Sequence, residues 1–102
     1  MNDSYVTIQK WMISELDLKG SELIIYAIIF ESSKDGSSMF TYSAKYLADW
    51  TNTTKQSVFM VLKSLTYRKL IIRHEETRNG MMFVSYSYNP DALVKLEDMK
   101  WE

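Results

Sequence analysis

The 102-residue chain contains no cysteine, one proline, three glycines and one histidine. Without cysteine there is no disulfide framework and no thiolate site for zinc or an iron–sulfur cluster. A lone histidine, His74, leaves no His–His pair for a metal. Long apolar runs are also missing. The longest, Leu23 to Phe30, is far too short to span a bilayer. The opening residues, Met1-Asn2-Asp3-Ser4, are polar and acidic and do not read as a signal peptide. There is no Gly-rich phosphate loop and no nucleophile elbow. Glu75 and Glu76 are adjacent, so on a strand they point to opposite faces, a poor geometry for paired acid–base work. The expectation is a cytoplasmic protein that is not an enzyme. No catalytic residues, metal, cofactor, small-molecule substrate or membrane partner are expected.

What is present is a single domain's worth of chain. At this length folding buries about two-thirds of the unfolded surface, enough for a core without staples. Net charge is −1, but the charge is unevenly spread. Residues 1–53 hold four bases and seven acids, a net −3. Residues 75–102 hold three bases and six acids, again −3. Between them, residues 54–74 hold Lys55, Lys63, Arg68, Lys69 and Arg73 with no acid, a net +5. A positive face on an acidic body attracts phosphate weakly and with strong salt dependence.

Along the chain, Tyr5-Val6-Thr7-Ile8 alternates well enough for a short strand. Trp11, Met12, Glu15 and Leu16 suggest a short helix, broken at Lys19-Gly20, with Ser21 placed to cap the next one. Glu22 to Glu31 is apolar almost all round, the mark of a buried central helix. A polar loop, 32–38, follows, and Phe40-Thr41 offers one strand rung. Ser43 caps a helix to about Trp50. Asn52, which tolerates a left-handed backbone, makes the turn. Thr54 caps a second helix, 54–68, whose Val58, Val61, Leu62 and Leu65 form a buried stripe. Leu70-Ile71-Ile72 opens a strand, Asn79-Gly80 signals a type I′ hairpin turn, and the return runs from about Met81 to Tyr88. Asn89-Pro90 ends it. Asp91 is placed to cap a tail helix bearing Leu93, Val94, Leu96, Met99 and Trp101.

Helix, tight turn, helix and β-hairpin make a winged helix-turn-helix. The fold class expected is α+β, mainly α: a three-helix core with a C-terminal β-hairpin wing and short terminal elements. One domain covers 1–102, with the motif at 43–88, an N-terminal extension at 1–20 and a C-terminal tail helix at 90–102.

Leu47-Ala48, Thr54, Val58, Leu62, Leu65 and Leu70-Ile71 fall at the spacing of bacterial winged-helix domains. More narrowly, WMISELDLKGSELIIYAIIF followed by YLADWTNTTKQSVFMVLKSL resembles the N-terminal domain of phage and plasmid replication proteins of the DnaD-like, replisome-organiser kind. The likeness runs from about Tyr5 to Tyr88. It implies duplex binding at a replication origin, self-association as a homodimer, and contacts with other replication proteins. Such proteins usually continue into a second region, so a domain cut from a longer protein is one of the readings the resemblance leaves open. Two departures stand out. Lys69 holds the position before Leu-Ile where many winged helices have glycine. Phe59 and Met60 occupy a recognition-helix face that is usually polar or basic.

If the chain binds DNA, the N-terminal end of the 54–68 helix enters the major groove. Lys55 and Gln56 lie in its first turn; glutamine suits adenine N6/N7 and lysine suits guanine O6/N7. Thr54, Ser57 and the N–H groups of the helix start suit phosphate. Phe59 and Lys63 lie further along the same helix. Arg73 and Arg78 belong to the wing, with Arg78 at the tip near phosphate or the minor groove. His74 reads as a plain wing surface residue. Two alternatives stand beside this reading. One is a protein-interaction or dimerisation winged helix without DNA readout, suggested by Phe59, Met60, the net acidity and the apolar tail helix with Leu93, Leu96, Met99 and Trp101. The other is a transcriptional regulator, which would use the same face.

Overall fold

A helix without a polar face must be enclosed by the rest of the chain, and the fold is arranged around one. The computed structural model describes residues 5–93. The elements run α1 (Lys10–Ser14), α2 (Gly20–Ser33), α3 (Ala44–Thr51), α4 (Lys55–Tyr67), β1 (Ile71–Arg78) and β2 (Met81–Tyr88). In α2, Ile25, Tyr26, Ala27, Ile28 and Ile29 are all fully buried. Each large side chain there contributes roughly 1.5–3 kcal/mol of burial free energy. Met12, Leu16 and Leu18 cover α2 from one side, and Leu47, Val58, Leu62 and Leu65 from another. Trp11, Tyr26, Phe30 and Tyr88 form a run of edge-on and stacked rings between α1, α2 and β2.

The helix-turn-helix forms where the capping residues require it. Ser43 Oγ accepts from the Tyr46 N–H at 3.3 Å and starts α3. Asn52 ends α3 in the left-handed region (φ 53°), with its N–H donating to the Ala48 carbonyl. Thr54 Oγ1 then accepts from the Ser57 N–H at 3.1 Å and starts α4. Each hydroxyl satisfies one of the orphan donors of a helix start.

The wing is a two-stranded antiparallel hairpin, registered from Ile71 opposite Tyr88 to Arg78 opposite Met81. Asn79 (φ 52°) and Gly80 (φ 77°) are both left-handed, as a type I′ turn needs. Hydrogen bonds from three neighbouring places help hold its root. Phe40 and Tyr86 exchange both backbone hydrogen bonds, at 2.7 and 3.0 Å, in one isolated rung. Buried Ser33 Oγ donates to the Ile29 carbonyl and accepts from the Tyr88 N–H at 2.9 Å. Asn89 donates from its backbone to the Leu70 carbonyl and from its side chain to the Lys69 carbonyl, each at 2.9 Å.

Four expectations are corrected. Tyr5–Ile8 is not a strand. The outer edge of β2 takes Phe40 as its rung instead, while Val6 packs on the core. Ser21 lies inside the first turn of α2, whose N-cap position is Lys19 without a side-chain cap bond. Asn89, not Asp91, caps the turn after β2: its Oδ1 accepts from the Asp91 N–H at 3.1 Å. Pro90 then sits in the first helical position, where its missing N–H costs nothing. His74 is half-buried, with Nε2 2.8 Å from Ser87 Oγ, rather than a plain surface group. Val94, Leu96, Met99 and Trp101 of the expected tail helix lie outside the described residues.

Ser33→Ala removes the acceptor for a backbone N–H at the wing root. It is expected to lower stability by about 1–3 kcal/mol, measured by urea unfolding. Lys69 sits at φ 63°, a left-handed position that glycine adopts without strain. Lys69→Gly is therefore expected to raise the thermal midpoint by a few degrees, since strain relief of about 1 kcal/mol outweighs the added chain entropy.

Candidate nucleic-acid interface

Helical geometry decides which part of α4 faces outward. Val58, Leu62 and Leu65 are buried against the core and fix the inward direction. Gln56, Met60, Lys63 and Tyr67 follow one another at steps of four, three and four, so they share one stripe on the opposite side. All four are exposed, with Met60 at 68% and Tyr67 at 87%. Lys55, Ser57 and Phe59, the last 58% exposed, flank this stripe. The residues read from the sequence as a reading head thus face solvent on one helix, uncovered by the rest of the described chain. Tyr67 is an addition to them. Its signal in the sequence is its place eleven residues beyond Gln56 on the same stripe.

The polar cap has a cost for anion binding. Thr54 Oγ1 accepts the Ser57 N–H and also donates to Ser57 Oγ at 3.1 Å. That backbone donor and the Thr54 hydroxyl are occupied within the chain. The N–H groups of Lys55 and Gln56 carry the open positive end of the helix.

The five cations of residues 54–74 are not equivalent. Lys55, Lys63 and Lys69 have no ion-pair partner among the described residues. Arg68 turns back to the core side and donates to the Leu16 carbonyl at 2.5 Å, fastening the end of α1's loop to the end of α4. Arg73 is ion-paired with Glu75. At the wing tip, Arg78 is ion-paired with Glu76 at 3.2 Å and lies 4.7 Å over the Phe83 ring. Both wing pairs arise because residues two apart on a strand share a face. The acid-free block of the sequence therefore has part of its charge offset by the glutamates just beyond it. The unpaired positive charge narrows to Lys55 and Lys63 on α4 and Lys69 just past its C-terminal end.

Between α4, the start of α3 and the inner face of the wing lies an open groove of about 700 Å³. Tyr42, Leu47, Phe59, Lys63, Arg73 and Tyr86 line it. Of these, Tyr42 stacks on Tyr46 of α3, with centroids 4.6 Å apart and planes 3° from parallel. Among the described residues no cluster of His, Asp and Glu is placed to hold a metal, and no helix is long and apolar enough to cross a membrane.

The division of roles among the cations is testable. Arg68→Gln should lower the thermal midpoint, by the equivalent of about 1 kcal/mol for a charged hydrogen bond at a partly exposed site. Lys63→Gln, a residue without such a bond, should leave the midpoint unchanged in the same melts.

No family model matches the chain, and no curated protein sequence does. Solved structures do match its fold. A point mutant of MepR from S. aureus aligns with a TM-score of 0.59 at 14% identity, over 86% of this chain and 60% of that one. A second MepR point mutant, bound to oligodeoxyribonucleotide, aligns with a TM-score of 0.56 at 15% identity, over 86% and 64%. Stf76 from the Sulfolobus islandicus plasmid-virus pSSVx is also similar, with a TM-score of 0.46 at 20% identity over 80% and 97%. The chain spans about three-fifths of the length of the MepR structures it matches. With hairpin, helix-turn-helix and buried α2 in place, the chain has the winged-helix fold.

Proposed function

We propose that the chain binds double-stranded DNA, with α4 in the major groove and the β1–β2 hairpin beside it. The observation that carries this reading is the uncovered stripe on α4, where Gln56 and Lys63 face solvent with Lys55 alongside. A structurally similar MepR mutant bound to an oligodeoxyribonucleotide supports it. The role we assign is replication initiation, on the strength of the sequence resemblance to replisome-organiser proteins. A transcriptional regulator would present the same surface, and the genomic fragments the chain selects would separate origin from promoter. With few available cations a single domain binds weakly, so a homodimer engaging two half-sites supplies the affinity.

A second reading rests on a specific observation. Phe59, Met60 and Tyr67 on α4, with Met81, Met82 and Phe83 on β2, are large apolar groups left in solvent. Such groups also suit a protein contact. Sedimentation of the chain alone tests this: a dimer that buries α4 would remove the reading head from DNA.

Anisotropy titration with a labelled duplex at several salt concentrations tests the leading reading. If Lys55, Lys63 and Lys69 all meet phosphates, log affinity should fall against log salt with a slope of about −3. The double variant Lys55→Ala, Gln56→Ala should bind at least tenfold more weakly with an unchanged thermal midpoint. Absence of duplex binding at low salt would refute the proposal.

A further inference from the structure

The apolar groups on the reading head are the part of the site that charge does not explain. We infer that Met60, with Phe59 beside it, contacts the 5-methyl group of thymine, and that Gln56 one turn earlier reads an adenine, so that α4 selects A·T pairs. This rests on the DNA-binding reading above and specifies its target.

Three observations lead there. Met60 and Gln56 are four residues apart on one stripe, pointing straight away from the buried Val58–Leu62–Leu65 side. Met60 is 68% exposed and Phe59 58% exposed, so neither is held by the core. Lys55 and Lys63, free of ion pairs among the described residues, bracket the apolar pair in sequence and favour a polyanion over a neutral partner. On the floor of the major groove the thymine methyl is the apolar feature, and adenine alone offers N7 beside an N6 donor to a glutamine amide. Gln56 and Met60 therefore ask for the two halves of the same kind of base pair. Their four-residue spacing, about 6 Å along the helix axis, reaches neighbouring pairs rather than one. A thioether on an unbranched side chain adapts to such a contact without a fixed shape.

The experiment begins with selection of bound sequences from a random duplex pool by the full 102-residue chain. The strongest sequence is then remade with uracil in place of each thymine, which deletes the 5-methyl group and keeps the base pairing. One thymine-to-uracil change should weaken the wild type about fourfold, the effect of one methyl-sized group leaving an apolar contact. Met60→Ala should bind the thymine and uracil duplexes equally. A third arm replaces that A·T pair with G·C or with G·5-methylcytosine.

Thymine preferred over both, and lost in Met60→Ala, sustains the inference. Binding that ignores uracil substitution overturns it while leaving duplex recognition standing. Preference for 5-methylcytosine over thymine overturns the A·T assignment. Equal loss of both duplexes in Met60→Ala, accompanied by conversion of a dimer to monomers in sedimentation, overturns it in favour of self-association. Failure of any duplex to bind removes the DNA reading and this inference together.

Discussion

Burial of α2 is the constraint on which the remaining structure depends. Its residues 25–30 have no side that tolerates water, so α1, α3, α4 and β2 are all drawn against it. That enclosure sets the geometry at the far surface. Once Val58, Leu62 and Leu65 are committed inward, the 3.6-residue period leaves Gln56, Met60, Lys63 and Tyr67 outward. The outward stripe is thus a consequence of core packing. Nothing local to those four residues holds them there. The same enclosure explains the buried Tyr26 phenol, which has no hydrogen-bond partner among the described residues. Burial, and then the neighbouring Tyr88, push its ionisation well above the usual tyrosine range. It behaves as an aromatic filler between Trp11 and Phe30.

Much of this is legible from the chain itself. Caps and turns are local chemistry, so Ser43, Asn52, Thr54 and Asn79-Gly80 stand where local propensity puts them. The rung at Phe40 is also readable, as are Val58, Leu62 and Leu65 of the α4 stripe, whereas Val61 at the edge of that stripe is only partly buried. What escapes a reading of the chain depends on partners distant in sequence. Tyr5–Ile8 alternates like a strand, yet a strand needs an open neighbour, and β2 gives that rung to Phe40. Arg68 counts as a surface cation until the fold brings Leu16, 52 residues away, within reach. Asn89 outcompetes Asp91 as a cap because the turn after β2 brings it over both Lys69 and Leu70. The groove beside α4 is built from four separate segments and has no sequence signature at all.

Electrostatics is where a count and a structure differ most. Five bases without an acid suggest one positive face. In the folded chain Arg73 of that block meets Glu75, Arg68 serves the backbone, and Arg78 beyond the block meets Glu76 on its own strand face. The hairpin is close to neutral in consequence. Whatever it meets, it meets through shape and through Met81, Met82 and Phe83 more than through charge. The charge that remains sits on α4, beside the apolar groups, and the two together define a narrower chemistry than either would alone.

The single rung between Phe40 and Tyr86 has a mechanical meaning. The hairpin is anchored only near Ile71, Tyr86 and Tyr88, while the strands continue to the Asn79-Gly80 turn with no third strand beside them among the described residues. Such a ribbon is a cantilever: stiff where it is clamped and soft toward the tip, because two strands alone are marginally stable. Its inner face is one wall of the groove beside α4. The hairpin residues that form that wall, Arg73, Val84 and Tyr86, sit at or beside the clamped rung, so the groove's width is tied to the stiff root and not to the tip.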